Sequence, residues 1–129
     1  MKCLRIFATP DGESHFGEID VPIAMSQPSP DGVALGLSSH YPASHIRFFH
    51  FPAGVRDAGW HNPPGRVLAI SLDGIVELET SDGEVRLCPA GSCLLAEDTH
   101  GKGHISRHPV EGHHFILITL PDGLDPPSE

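Results

Sequence analysis

Apolar residues fall along this chain in short runs, each closed by a turn signal, and the clearest series lies between Arg66 and Asp98. There VLAISL, IVELET, VRLC and SCLLA follow one another with little between them. Asp73-Gly74 and Asp82-Gly83 divide the first three runs, and such pairs supply the positive φ that tight hairpin turns need. Pro89-Ala90-Gly91 fits a turn in which proline presets φ and glycine closes. Strands this short and this closely spaced predict an antiparallel sandwich or small barrel, with Arg66–Asp98 supplying its central hairpins.

The flanking segments extend the pattern. Residues 1–9 hold LRIFA, a first strand turned by Asp11-Gly12. Phe16 to Ile23 pairs with it, and Pro22 confines that strand to a sheet edge. Gln27 to Gly32 reads as a loop, and Val33 to Ser38 as a short apolar strand broken by glycine. In HIRFFHF, His45 to Phe51, alternation puts Phe49 and Phe51 on one face and Phe48 on the other. The prolines and glycines of Pro52 to Arg66 forbid a helix. That loop delivers Trp60 and His61 to the central strands. A further strand begins at His104, and FILITL, Phe115 to Leu120, is the last and central one. The expected organisation is one domain, 1–120, followed by a flexible tail, 121–129, with nothing to pack.

Composition narrows the partners. The chain has 129 residues, enough for one domain with a real core. Its Asp+Glu count of 17 exceeds its Lys+Arg count of 8, for a net charge of -9. Nucleic acid and acidic membranes are therefore not expected partners, because both call for a basic face. No apolar stretch is long enough to span a bilayer, and the N-terminal run is too short for a signal peptide, so a cytoplasmic location is expected. The cysteines are Cys3, Cys88 and Cys93, an odd number without a CxxC pair, as suits free thiols in a reducing compartment. Cys88 and Cys93 flank the Pro-Ala-Gly turn. A redox pair is one reading, and two buried core thiols the favoured one.

Two sets of residues resemble the cupin superfamily. Gly83, Pro89 and Gly91 fall on its second motif, G-x5-P-x-G-x2-H-x3-N, with Leu94 at the metal-binding histidine and Asp98 at the asparagine. His61 and Gly74 fit the first motif, G-x5-H-x-H-x3-E-x6-G, where Pro63 replaces the second histidine and Val67 the glutamate. GWHNPPGR together with AEDTHGKGH is also similar to a group of small single-domain cupin-like proteins of unsettled activity. The resemblance covers roughly residues 45–120. It implies an all-β fold, the antiparallel double-stranded β-helix or jelly-roll barrel. Of the usual three histidines and one glutamate that bind metal in cupins, only His61 survives. Leu94 and Val67 cannot bind a cation, so a standard cupin metal site is not expected.

What chemistry is left follows from parity. If Leu94 points into the barrel, so do Ala96 and Asp98, while Cys93, Leu95 and Glu97 point out. Val67, Ala69 and Ser71 also face in. The expected site is thus the mouth of an apolar lumen, with His61, Asp98 and His104 as catalytic groups or as an open two-histidine, one-carboxylate metal set. A divalent transition metal (zinc, iron, manganese or nickel) is one expectation for the cofactor, and none is the other. Trp60, Arg66 and Lys102 are the candidate substrate-binding residues at the rim. The bland alternatives are a packed tryptophan, an arginine paired with one of the many acids, and a solvated lysine. His113-His114 cannot ligate from one face, because neighbours in a strand point opposite ways.

Two functional readings follow. One is a small enzyme of isomerase, cyclase, lyase or oxygenase type acting on a small molecule. The other is a non-catalytic module for small-molecule binding or dimerisation. A homodimer is expected through the apolar face of Leu68, Ile70 and Leu72. Alanine at His61 or His104 is expected to abolish ligand or metal binding with little change in melting temperature.

Overall fold

The computed structural model describes residues 1–27 and 29–125. Its strands are β1 Lys2–Ala8, β2 Ser14–Asp20, β3 Ala24–Ser26, β4 Leu35–Leu37, β5 His45–Phe51, β6 Val67–Ser71, β7 Val76–Thr80, β8 Val85–Cys88, β9 Cys93–Ala96, β10 His104–Arg107 and β11 His113–Thr119. No helix occurs among the described residues. None is therefore long and apolar enough to cross a membrane.

A six-stranded sheet, β2-β1-β9-β6-β11-β5, faces a three-stranded sheet, β10-β7-β8, and a two-stranded hairpin, β3-β4, stands apart. This is an all-β, cupin-like barrel. Every pairing is antiparallel except β1 with β9, which is parallel. Pro22 does follow an edge strand, and β11 lies inside its sheet, between β6 and β5.

The central hairpins require a correction. Only Asp82-Gly83 closes a ladder hairpin, β7 to β8, with Gly83 at φ 90°. Asp73-Gly74 and Pro89-Ala90-Gly91 instead carry the chain from one sheet to the other, so that β6 pairs with β9 and not with β7. A positive-φ turn reverses the chain, but side-chain burial selects the partner. β7 explains the choice. Val76, Leu78 and Thr80 are buried while Glu77 and Glu79 face out, where the Arg107 guanidinium of β10 donates to both at 3.0 and 2.9 Å. Pairing β7 beside β6 would leave its apolar face without the opposing sheet.

Two cores result. Between the sheets, Ile6, Phe16, Val76, Leu78, Cys88 and Leu94 pack together. On the outer side of the large sheet, Cys3, Val21, Leu95, Leu120 and Leu124 form a second cluster, with Leu68 and Tyr41 against it. Leu95 thus points away from the lumen yet is fully buried. The expectation for the tail changes accordingly. Pro121–Asp125 is anchored, since Leu124 is buried and Gly123 N–H donates to the Leu120 carbonyl, while 126–129 lie outside the described residues. Of the face named for a dimer, Leu68 packs against the outer cluster and Leu72 is exposed, as are Met25, Val33 and Phe48, on or beside β3, β4 and β5. The cysteines are free. Cys88 belongs to the inner core and Cys93 packs against the outer one, and burial pushes the Cys3 thiol up to about 11.

Candidate functional site

The parity rule places the site. Val67, Ala69 and Ser71 of β6, Leu94 and Ala96 of β9, and Phe115 and Leu117 of β11 line one wall of a cavity of about 330 Å³ between the sheets. Val76, Leu78, Cys88 and Ser106 form the facing wall. The polar groups of the lining are His61, Asn62, Ser71, His104, Ser106, His108 and His113, and it contains no Asp, Glu, Lys or Arg. A cavity so lined selects against ionic ligands, because nothing in it compensates a desolvated charge.

His61, Asp98 and His104 are brought together. His61 and His104 exchange backbone hydrogen bonds, each N–H donating to the other's carbonyl at 3.0 Å. Their rings lie 4.7 Å apart, tilted by 56°. The His104 Nδ1–H donates to Asp98 Oδ2 at 2.7 Å, and both side chains are buried. His61 Nδ1–H donates to the Gly59 carbonyl at 3.0 Å. In each neutral imidazole the lone pair is therefore on Nε2. The Asn62 amide donates to the Asp98 carbonyl at 2.9 Å, and Ser14 Oγ donates to the Gly103 carbonyl at 2.7 Å, so side chains tie both loops to the barrel.

This arrangement does not fit the three-ligand metal set. Asp98 is committed to His104 Nδ1 and does not line the cavity. Its Oδ1 is buried without a hydrogen-bond partner. Among the described residues no three His, Cys, Asp or Glu side chains form a group able to hold a metal ion.

The expected rim is not assembled around the cavity either. Arg66 points to the outside of the sheet. There it pairs with Glu97, which Arg5 also grips, and reaches Asp125 at 3.5 Å. Lys102 is held by Glu13 and is well exposed. Trp60 is half exposed and is not part of the lining. In the first case the outward parity of Glu97 draws the arginine away. In the second, Glu13 at the β1–β2 turn holds the lysine at the surface.

The sequence reading missed His108 and His113. His113 is 1% exposed. Its Nε2 lies 2.9 Å from Ser71 Oγ and its Nδ1 2.8 Å from His108 Nδ1. His108 stacks on Phe51 with ring centroids 3.8 Å apart. The parity that places His113 inward with Phe115 and Leu117 was legible. The same alternation sends His114 outward, to Asp73.

Burial pushes His108 down to about 4, with the neighbouring His113 and His61 adding to the effect and Asp57 opposing it. Burial lowers His113 as well. Both are bases depressed below the ordinary value near 6.5, so the unfolded chain binds more protons between the two values. Their contribution is fully present above pH 6.5 and is lost as pH falls toward 4. For His108 alone the loss is about 3 kcal/mol. Urea unfolding at intervals from pH 7.5 to 4 should show this decline, and His108→Phe should flatten it. An equally steep decline in that variant would refute the assignment. Asp11, Asp73 and Asp82, held low by hydrogen bonds, act in a lower window.

No protein-family model and no curated protein sequence matches the chain. Among solved structures, one similar chain is a conserved protein of unknown function from Streptococcus pyogenes, at 21% identity and a TM-score of 0.45, covering 65% of each chain. This chain thus spans just under two thirds of that protein. Another is protein NMB1881 from Neisseria meningitidis, at 14% identity and a TM-score of 0.45, covering 64% of this chain and 86% of that one. At this level the likeness carries nothing further, and the fold rests on the strand order given above.

Proposed function

We propose that this cupin-like chain takes a small, neutral, largely apolar molecule into the barrel cavity and moves a proton on it. The observation that carries the reading is the buried Asp98–His104 pair, whose imidazole reaches an uncharged cavity. Asp98 holds the proton on Nδ1 and so presents Nε2 as a base, and the carboxylate stabilises the imidazolium once Nε2 is protonated. In the proposed step, Nε2 takes a proton from an acidic C–H of the ligand, leaving the electron pair on the ligand. Return of the proton to another atom gives an isomerisation, and its return to a departing group gives an elimination. His61, 4.7 Å away between ring centroids, is the second imidazole available to hold or return the proton.

The alternative is a binding module without chemistry, and the predominance of apolar side chains in the lining favours it. Deuterium uptake from D2O into the methyl group of acetophenone, followed by proton NMR, separates the two. Acetophenone is neutral and flat and carries an acidic C–H. The proton-transfer reading expects catalysed uptake that falls at least about a hundredfold in His104→Gln. Chemical-shift changes at cavity residues without catalysed uptake would favour the binding module. A stoichiometric transition metal in the purified protein would overturn the metal-free role given to His104.

A further inference from the structure

The cavity has a second organised polar element, not hydrogen-bonded to the Asp98–His104 pair. It runs from Ser71 through His113 to His108, and its proton positions are set by the direction of the Ser71 hydroxyl. Ser71 Oγ lies 3.3 Å from the carbonyl oxygens of both Asp73 and Gly74. With the single hydroxyl proton directed at these carbonyls, which only accept, Ser71 Oγ accepts from His113 Nε2, at 2.9 Å. Neutral His113 consequently has its lone pair on Nδ1, and it accepts from His108 Nδ1–H at 2.8 Å. This leaves the lone pair of His108 on Nε2.

That nitrogen has no partner among the described residues. Neither is it sealed off, since the buried unpartnered side-chain nitrogen or oxygen among them is Asp98 Oδ1. His108 lines the cavity and is 6% exposed. Its backbone N–H is tied to the Arg56 carbonyl at 2.7 Å and its ring is stacked on Phe51, so the acceptor is fixed in place.

We propose that His108 Nε2 is a preorganised acceptor subsite for a hydroxyl or N–H of a neutral, ring-bearing ligand, with His113 and Ser71 as positioning residues that set its tautomer. The subsite deepens the cavity reading and rests on it. An acceptor in an apolar chamber discriminates strongly, because a ligand without a donor leaves it unpaired. The Phe51 stack beside it suits a flat ring, which would lie along the same aromatic wall.

Two measurements test this, and the first requires no ligand. Long-range proton–nitrogen NMR of the imidazoles at pH 7.5 should show His108 protonated on Nδ1 and His113 on Nε2. The reverse assignment at His108 overturns the proposal. The second compares phenol with toluene, which differ in one donor, by calorimetric titration of the full chain. Phenol should bind about tenfold more tightly, and His108→Phe should reduce that preference to about twofold or less. Equal binding of the two probes by the wild type, or a preference retained in His108→Phe, overturns the subsite but leaves the cavity reading standing. Binding of neither probe, with the tautomers as assigned, overturns the cavity reading and the subsite with it. Should His108→Phe fail to fold, the nitrogen shift of His108 Nε2 on phenol addition to the wild type reads the same contact. No shift there, with phenol bound, overturns the proposal.

Discussion

Alanine in place of Gly103 destabilises the chain by about 3 kcal/mol and separates His61 from His104. Gly103 has a φ of +72°, a conformation that costs alanine about 1–2 kcal/mol by itself. A Cβ built there would stand 2.1 Å from the His61 carbonyl oxygen and 2.5 Å from its carbon. Those are backbone atoms, and the same carbonyl accepts from the His104 N–H. Nor is Gly103 free to retreat, because its own carbonyl is held by the buried Ser14 hydroxyl. The bridge that sets the two imidazoles side by side must therefore open. Gly65 is the control: its φ is not in the left-handed region and a Cβ there meets nothing within 4 Å. Gly65→Ala should stay within about 0.5 kcal/mol of the wild type. Urea unfolding of the two variants checks the contrast, and a loss below about 1 kcal/mol for Gly103→Ala would mean that this close approach is not a constraint.

The inside of the barrel was legible because parity is a local rule. Leu94 and Ala96 face in, and so do Val67, Ala69 and Ser71, as alternation from the motif position requires. The glycines and the His104 strand start were legible too, and they are what converge the Pro52–Gly65 and Thr99–Gly103 loops on His61 and Asp98. Sheet membership was not. Nothing local in VLAISL distinguishes pairing with the next run from pairing with the one after the following hairpin, and that choice depends on which arrangement buries β7 against the opposite wall. The rim failed for a related reason. Arg66 and Lys102 are long enough to reach several acids, and their partners, Glu97 and Glu13, are set by tertiary neighbours. His108 was hidden because it lies just past β10, where alternation no longer constrains a side chain, and only its contact with His113 reveals its direction.

His104→Ala should destabilise the chain by about 3–5 kcal/mol, against the sequence-based expectation of little change in melting temperature for either histidine. The difference between the histidines is burial. His61 is exposed, so His61→Ala should move stability by no more than about 0.5 kcal/mol while still removing an imidazole from the cavity mouth. His104 is 4% exposed and is the hydrogen-bond partner of a carboxylate that is 0% exposed. Removing the ring leaves Asp98 with Oδ2 unpaired as well as Oδ1, which is already without a partner. An uncompensated buried carboxylate is the costly state, and much of the loss belongs to it rather than to the missing ring. The double variant His104→Ala with Asp98→Ala should therefore be more stable than His104→Ala alone, although it removes more atoms. A double-mutant cycle by urea unfolding measures this directly. Additive losses from the two substitutions would show that Asp98 is not held by His104 in solution, and would remove the basis for assigning the Nε2 lone pair to the cavity.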